Sequence, residues 1–273
     1  DLGRLQRAGQ ELGVPRVQIH LKLDTGMSRL GVRPEKLDEF VEALRQHPGV
    51  VLSGLCTHLA DADGPSGEPT AAQLQRLAQC QARLGELGIR PGLVHVANTA
   101  AAARYPQARF DLVRPGIALF GHEAFTARPD ESAPELKPVM RVRTEIVALR
   151  SIAAGGRIGY GHTWQAARNS VIATVPMGYA DGLSRSLSNR GHGLIRGKRA
   201  PIAGTVSMDL TMLDVTDIPG ARQGDEVVFL GPQEGPLGRD SISAAEIAEA
   251  TGTIPWEVLT SISRRVPRFY REP

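Results

Sequence analysis

Cysteine is nearly absent: Cys56 and Cys80 are the only two in 273 residues, and they form no CxxC pattern. That excludes a disulfide scaffold and leads us to expect free thiols in a reducing compartment, with the cytoplasm as the expected location. No run of about 18 apolar residues occurs, which argues against a transmembrane helix and against a membrane partner. The opening DLGRLQRAGQELGVP carries charges through a helical pattern and has no apolar signal core. It also lacks an initiator Met, so further sequence is expected upstream. Basic and acidic residues nearly balance, 32 against 29. No basic run of five or more residues occurs, so the electrostatic footprint of a nucleic-acid binder is missing. His58, Asp61 and Asp63 lie close together in HLADAD, but no HxH or second histidine cluster joins them, so no metal site is expected. Lysine occurs only at positions 22, 36, 137 and 198.

What is present falls into two textures. The first half alternates short apolar strands with helical patterns. VQIHLKLD (17–24), VVLSGLCTHL (50–59), LVHVAN (93–98) and LVRPGIALFG (112–121) read as strands. Between them, Leu37, Phe40, Val41 and Leu44 recur at helical spacing after Pro34, and Leu74, Leu77, Leu84 and Leu87 mark a second helix. Strand–helix repetition of this kind predicts a parallel sheet. Residues 126–138, with three prolines, are the best linker. Beyond it short strands are broken by Gly, Pro and Asp turns, and Ser243 with Glu246 predicts one late capped helix. The expected architecture is part of a (β/α)8 barrel over residues 1–130, then a mainly-β domain over 131–273.

The strands of the first half end in polar residues. In the first, His20, Lys22 and Asp24 share one face and Leu21 and Leu23 the other. Thr57 and His58, Asn98 and Thr99, and Arg114 before Pro115–Gly116 close the others. Each alone has a plain explanation: Lys22 as an edge lysine, His58 as a satisfied histidine, Arg114 as a loop arginine. Four strands presenting polar groups at one end point instead to a site at the C-terminal face of a barrel.

HLKLDTGMSRLGV (20–32) resembles the signature of the alanine racemases. It is followed in order by THLADAD, HVANTAA, DLVRPGIALFG, YGHTW, VPMGYADGLSR, APIAGTVSMDLTMLDV, GDEVVFLG and SISRRVPR. The resemblance implies a pyridoxal 5′-phosphate (PLP) enzyme that interconverts L- and D-alanine, supplying D-alanine for cell-wall peptidoglycan. It also implies a head-to-tail homodimer in which the β domain of one subunit completes the site of the other. Carried over residue by residue, Tyr179 is one of two acid–base groups, acting from the partner subunit, and His58 is its hydrogen-bonding histidine. Arg114 faces the pyridine nitrogen, and Thr99, Gly116 and Ile117 contact the phosphate. Arg29 sits by the cofactor hydroxyl and the substrate carboxylate, oriented by Lys22 in carbamylated form. Met208 reaches the carboxylate from the other chain. Arg264 stands where some members have a tyrosine, which leaves that tyrosine's positioning role open.

Two bases on opposite faces of Cα allow racemisation without the substrate turning over. A free tyrosine has a pKa of about 10, some three units above neutrality, so Tyr179 needs the support that a His58–Arg114 chain can provide. An arginine about 4 Å from a pyridinium, at an effective dielectric of about 20, opposes its protonation by roughly 4 kcal/mol. That makes the ring a weaker electron sink and suppresses side reactions. The lysine that carries the cofactor in the family lies in an AxxKADAYGHG-like motif, and none of the four lysines here does. The expectation is a truncation of roughly 100 residues, judged against a whole barrel. On that expectation the chain is inactive by itself. A broader or serine-directed racemase on the same scaffold, and a non-catalytic truncated copy, are the other readings.

Overall fold

The structure, a computed structural model, describes residues 1–123 and 135–271. Residues 126–134 of the expected linker lie outside the described residues. The chain divides into two units, Asp1–Lys137 and Pro138–Pro273, each described here by itself.

The first unit opens with α1 (Leu2–Glu11), whose free amide at Arg4 donates to the Asp1 side chain. β1 (Val17–Lys22), β2 (Val50–Cys56) and β3 (Leu93–His95) then form a parallel sheet in that order. Parallel neighbours require long crossovers, and these carry α2 (Leu37–Arg45) and α3 (Glu68–Glu86). β1 alternates as its residues dictate: Leu21 is buried while His20 on the opposite face is exposed. α2 buries Leu37, Val41 and Leu44, one helical stripe, and leaves Phe40 half-buried.

Two expectations need correction. The buried stripe of α3 is Thr70, Gln73, Leu77, Cys80 and Leu84, with Leu74 and Leu87 only partly covered. The stripe is rotated because Gln73 finds three polar partners in the interior, described below. Residues 112–121 do not form a strand. Leu112 makes a single parallel bridge to His95, and Ile117–Phe120 is a 3-10 turn after α4 (Thr99–Arg104). Pro115 has no N–H to give a ladder, and Gly116 follows it, so the pairing ends where it begins.

The second unit is mainly β. β4 (Val142–Glu145), β9 (His192–Ile195), β10 (Lys198–Pro201), β12 (Glu226–Gly235) and β13 (Gly238–Ile242) make one sheet, ordered β10-β9-β12-β13 with β4 also on β12. β5 (Ala148–Ile152), β8 (Ser170–Val175) and β11 (Thr211–Asp214) make another, ordered β11-β8-β5. β6 (Arg157–Ile158) and β7 (Trp164–Gln165) form a small hairpin. Val175, Ile195, Val206, Leu213 and Val227, all with no exposed surface, meet in a single apolar cluster.

α5 (Ala244–Thr251) starts at Ser243, whose hydroxyl accepts from Glu246 N–H, and ends at left-handed Gly252. The Glu246 carboxylate pairs with Arg199. A further helix, α6 (Pro255–Ser261), and strand β13 were not foreseen from the sequence. The fold class agrees with the expectation: β/α units first, a mainly-β unit second. Among the described residues no helix is long and apolar enough to cross a membrane.

Candidate functional site

In the first unit the candidate side chains stand at the C-terminal ends of β1, β2 and β3 and in the segments that follow. Lys22 lies level with Cys56 on β2, which lies level with His95 on β3, so the three share one face of the sheet. The segment after β1 is folded back on itself: Val32 N–H donates to Lys22 O at 2.8 Å and Asp24 N–H to Val32 O at 2.9 Å. The Asp24 carboxylate accepts from Ser28 N–H (2.8 Å) and Gly26 N–H (3.2 Å), which closes the turn leading to Arg29. These bonds hold the Asp24 carboxyl below its ordinary range, Ser28 contributing most against the opposing effect of burial.

A buried polar network fastens this turn to the one after β2. Gln73 of α3 donates to Thr25 Oγ1 (3.1 Å) and to His58 O (3.0 Å) and accepts from Ala60 N–H (2.8 Å). Because Thr57 spends its hydroxyl hydrogen on Leu23 O at 2.9 Å, the Thr25 hydroxyl is the donor in its 2.8 Å bond to Thr57 Oγ1. Arg76 adds a bond to Thr25 O at 2.7 Å.

Arg114 is anchored by three acceptors. It donates from Nη2 to Thr57 O (2.9 Å) and Val96 O (3.2 Å), and from Nη1 to His95 Nδ1 at 2.5 Å. His95 Nε2 in turn lies 2.7 Å from His20 Nδ1. Among the described residues His58 and Arg114 share no direct hydrogen bond; the guanidinium donates to His95 and two carbonyls. His58 is nevertheless under its influence. Burial, and then the positive charges of Arg114, Arg29 and Lys22, push the His58 imidazole below its ordinary pKa and favour the neutral ring. Lys22, Arg29 and Arg114 have no carboxylate partner within salt-bridge distance among the described residues.

Thr99 sits buried at the start of α4, and its Oγ1 accepts from Gly116 N–H (3.0 Å) and Ala118 N–H (3.5 Å). Its hydroxyl hydrogen is then free to donate elsewhere. Ile117 is buried behind Gly116. Among the described residues no group of three or more His, Cys, Asp or Glu could hold a metal ion.

In the second unit Tyr179 and Met208 lie on adjoining loops, both exposed. Tyr179 N–H donates to Ser207 O and Ala180 N–H to Met208 O, each at 3.0 Å. Gly178 permits this approach: a Cβ there would lie 2.3 Å from Ser207 O and 2.4 Å from Met208 O. Ser207 closes the Met208 loop by donating to Leu210 O at 2.6 Å. Arg265 then bridges the two loops, with Nε on Asp181 at 2.7 Å and Nη2 on Asp209 at 2.6 Å. Arg264 beside it is exposed, and Lys198 donates to Asp217 O at 3.0 Å. A cleft of about 410 Å³ opens beside Tyr179 between Leu183, Phe229, Ile247 and Val258.

Sequence reasoning placed His20 on the site face without giving it a role, and missed His95, Gln73, Asp181 and Arg265 as parts of these arrangements. For His95 a signal existed: it ends β3 within one of the quoted motifs.

The family described as alanine racemase, N-terminal domain, matches residues 1–124, and that described as alanine racemase, C-terminal domain, matches 139–270. An alanine racemase of Sorangium cellulosum is 60% identical over 276 residues, covering all of this chain and 72% of that protein. One of Symbiobacterium thermophilum is 42% identical over 99% of this chain and 70% of its own length. Among solved structures, the alanine racemase of a D-cycloserine-producing Streptomyces lavendulae superposes with a TM-score of 0.89 at 33% identity, over 100% of this chain and 70% of that one. The Bacillus anthracis enzyme with bound L-Ala-P gives 0.87 at 33% identity, over 99% and 68%. With matches of this depth along both units, the chain belongs to the alanine racemase family.

Proposed function

We propose that this chain supplies the ring-nitrogen, phosphate, carboxylate and tyrosine groups for PLP-dependent interconversion of L- and D-alanine. The product D-alanine would serve cell-wall peptidoglycan, and the enzyme would work in the cytoplasm as a head-to-tail homodimer, with no nucleic acid or membrane as partner. The observation that carries the reading is a set of three cations, Lys22, Arg29 and Arg114, without carboxylate partners among the described residues, whose charges add to burial in depressing the His58 imidazole. Uncompensated positive charge with free donors suits an anionic ligand, and the uncommitted Thr99 hydroxyl adds a donor for a phosphate oxygen. The donor set therefore fits PLP, with Arg114 at the ring nitrogen and Thr99, Gly116 and Ile117 at the phosphate. Bound there, PLP would act as the electron sink that acidifies the Cα–H of alanine.

The chain's own residues do the rest. Arg114, always protonated and without an acceptor, keeps a proton off the atom it faces. Arg29 pairs with the substrate carboxylate, and Lys22, as a carbamate, would give Arg29 an anionic partner to hold its direction. Tyr179 of the partner subunit holds or takes a proton at its phenolic oxygen on one face of Cα, with neutral His58 as its hydrogen-bond partner, accepting from the phenol and donating to the phenolate. Met208, on the loop knit to Tyr179, comes to the carboxylate with it.

The lysine that serves the other face in the family has no counterpart among this chain's four. Lys36 pairs with Glu39, Lys198 with a carbonyl, Lys137 is exposed, and Lys22 is committed to the carbamate role. By itself the 273-residue chain is therefore expected to bind PLP through its phosphate and leave alanine unracemised. Calorimetric titration tests this. PLP should bind more tightly than pyridoxal, and Thr99→Val and Arg114→Gln should each weaken it about tenfold, one charged or well-placed hydrogen bond. Equal affinity for PLP and pyridoxal, or D-alanine formed by the chain alone, would refute the assignment.

A further inference from the structure

The structure assigns His20 and His95 a positioning role for Arg114: both imidazoles are locked as neutral Nε2–H tautomers in one directed hydrogen-bond chain that passes over Gly54. The assignment starts from Arg114. A guanidinium only donates, so His95 Nδ1, 2.5 Å from Arg114 Nη1, has to be the acceptor. The His95 proton then resides on Nε2. That atom lies 2.7 Å from His20 Nδ1, so His20 accepts there and carries its own proton on Nε2. No other distribution of protons satisfies both contacts. A proton on His95 Nδ1 would oppose Arg114, and one on His20 Nδ1 would oppose His95 Nε2–H.

The backbone is arranged for this chain. β1 and β2 run in register up to Ile19 opposite Leu52, and the register then skips Ser53, so that His20 stands opposite Gly54. The skipped Ser53 is held by its hydroxyl on Ile19 O at 3.1 Å. At Gly54 the His20 ring occupies the volume a side chain would take: a Cβ there would lie 2.6 Å from His20 Nε2 and 2.7 Å from Cδ2 and Cε1. The ring thus crosses β2 and reaches His95 on β3, with ring centres 5.0 Å apart. Had β2 carried any other residue at 54, its side chain would stand where the His20 ring crosses to its partner.

The consequence concerns charge. Arg114 is anchored by an imidazole and two carbonyls, all uncharged acceptors. Its direction is fixed without a carboxylate that would neutralise it. His95 is thereby removed from acid–base duty, since taking up a proton would break its bond to Arg114. The inference rests on the reading of Arg114 given above for its purpose, but the tautomers can be read in the cofactor-free chain.

The test is long-range 1H–15N correlation on the chain labelled with 15N-histidine, the seven rings assigned by single substitution. His95 and His20 should each show a pyridine-type Nδ1 and a protonated Nε2. In Arg114→Met the lock on His95 should open and its two nitrogens move toward a common average. In Gly54→Ala, His20 should lose its single tautomer while His95 keeps its own, because Arg114 still determines it. Loss of packing alone would not produce that split. A wild-type ring with Nδ1 protonated, or a His95 tautomer unchanged in Arg114→Met, overturns the proposal. That failure would leave the racemase reading standing, and PLP binding indifferent to Arg114 would do the reverse. The wild-type measurement decides the matter even where a variant fails to fold.

Discussion

Arg265 is expected to hold the Tyr179 and Met208 loops together, and its replacement by methionine should cost stability in a pH-dependent way. Asp181 is mostly covered, with 14% of its side chain exposed, whereas Arg265 and Asp209 are about half exposed at 47% and 59%. A hydrogen bond to a charged group contributes about 1.5–3 kcal/mol when shielded. The exposure of the arginine discounts both bonds, and the more covered Asp181 keeps the larger share. Arg265→Met should therefore lower the Tm of the second unit by a few degrees. Burial works to raise the Asp181 pKa, but the bonds from Arg265 and Gly178 N–H outweigh it, and the net shift is downward. A carboxyl whose folded pKa is depressed stabilises fully above its unfolded pKa of about 3.9 and loses that contribution as pH falls through the folded value. The gap in Tm between wild type and Arg265→Met should thus be full at pH 7 and narrow steadily below about pH 4. Thermal unfolding followed by circular dichroism at pH 7, 5, 4 and 3 measures it. A gap of the same size at pH 3 as at pH 7, or no gap at any pH, would refute the role given to this bridge.

Gln73→Leu removes two donated bonds and one accepted bond from a residue only 3% exposed. Stranding the His58 carbonyl and the Ala60 amide should cost about 2–4 kcal/mol, visible as a lower urea midpoint. Proteolysis should also quicken in the turn after β2, and an unchanged midpoint would remove Gln73 from the scaffold of the site. Lys22, if it carries a carbamate, should give a carbonyl 13C resonance when the chain is equilibrated with 13C-bicarbonate. The resonance should vanish in Lys22→Arg, and its persistence there would assign the signal elsewhere.

The parts of the fold that follow from local pattern were legible in the sequence. β1 announces itself by alternation, α2 by its Leu37–Val41–Leu44 stripe, and α5 by Ser243 and its terminal glycine. Parts whose shape depends on tertiary partners were not. The 112–121 segment is as apolar as a strand, yet Pro115 ends its pairing after one bridge. Gln73 sits in a helix among leucines and reads as surface, because nothing local reveals that three polar groups wait for it inside. α6 is short and capped by no side chain.

The same division runs through the site. Lys22, Arg29, His58, Arg114 and Tyr179 could be named because they sit in motifs, one residue at a time. What holds them could not, since each support is a contact between distant positions: His95 with Arg114, Gln73 with His58, Arg265 with Asp181. The His20–His95 contact is the extreme case. It depends on a register skip at Ser53 that no one-dimensional pattern encodes, and on the absence of a side chain at Gly54. A glycine in mid-strand ordinarily weakens a sheet. Here its cost is offset by a ring that fills the vacant volume and connects two strands, so a locally unfavourable residue is the one that lets the guanidinium be aimed without being neutralised.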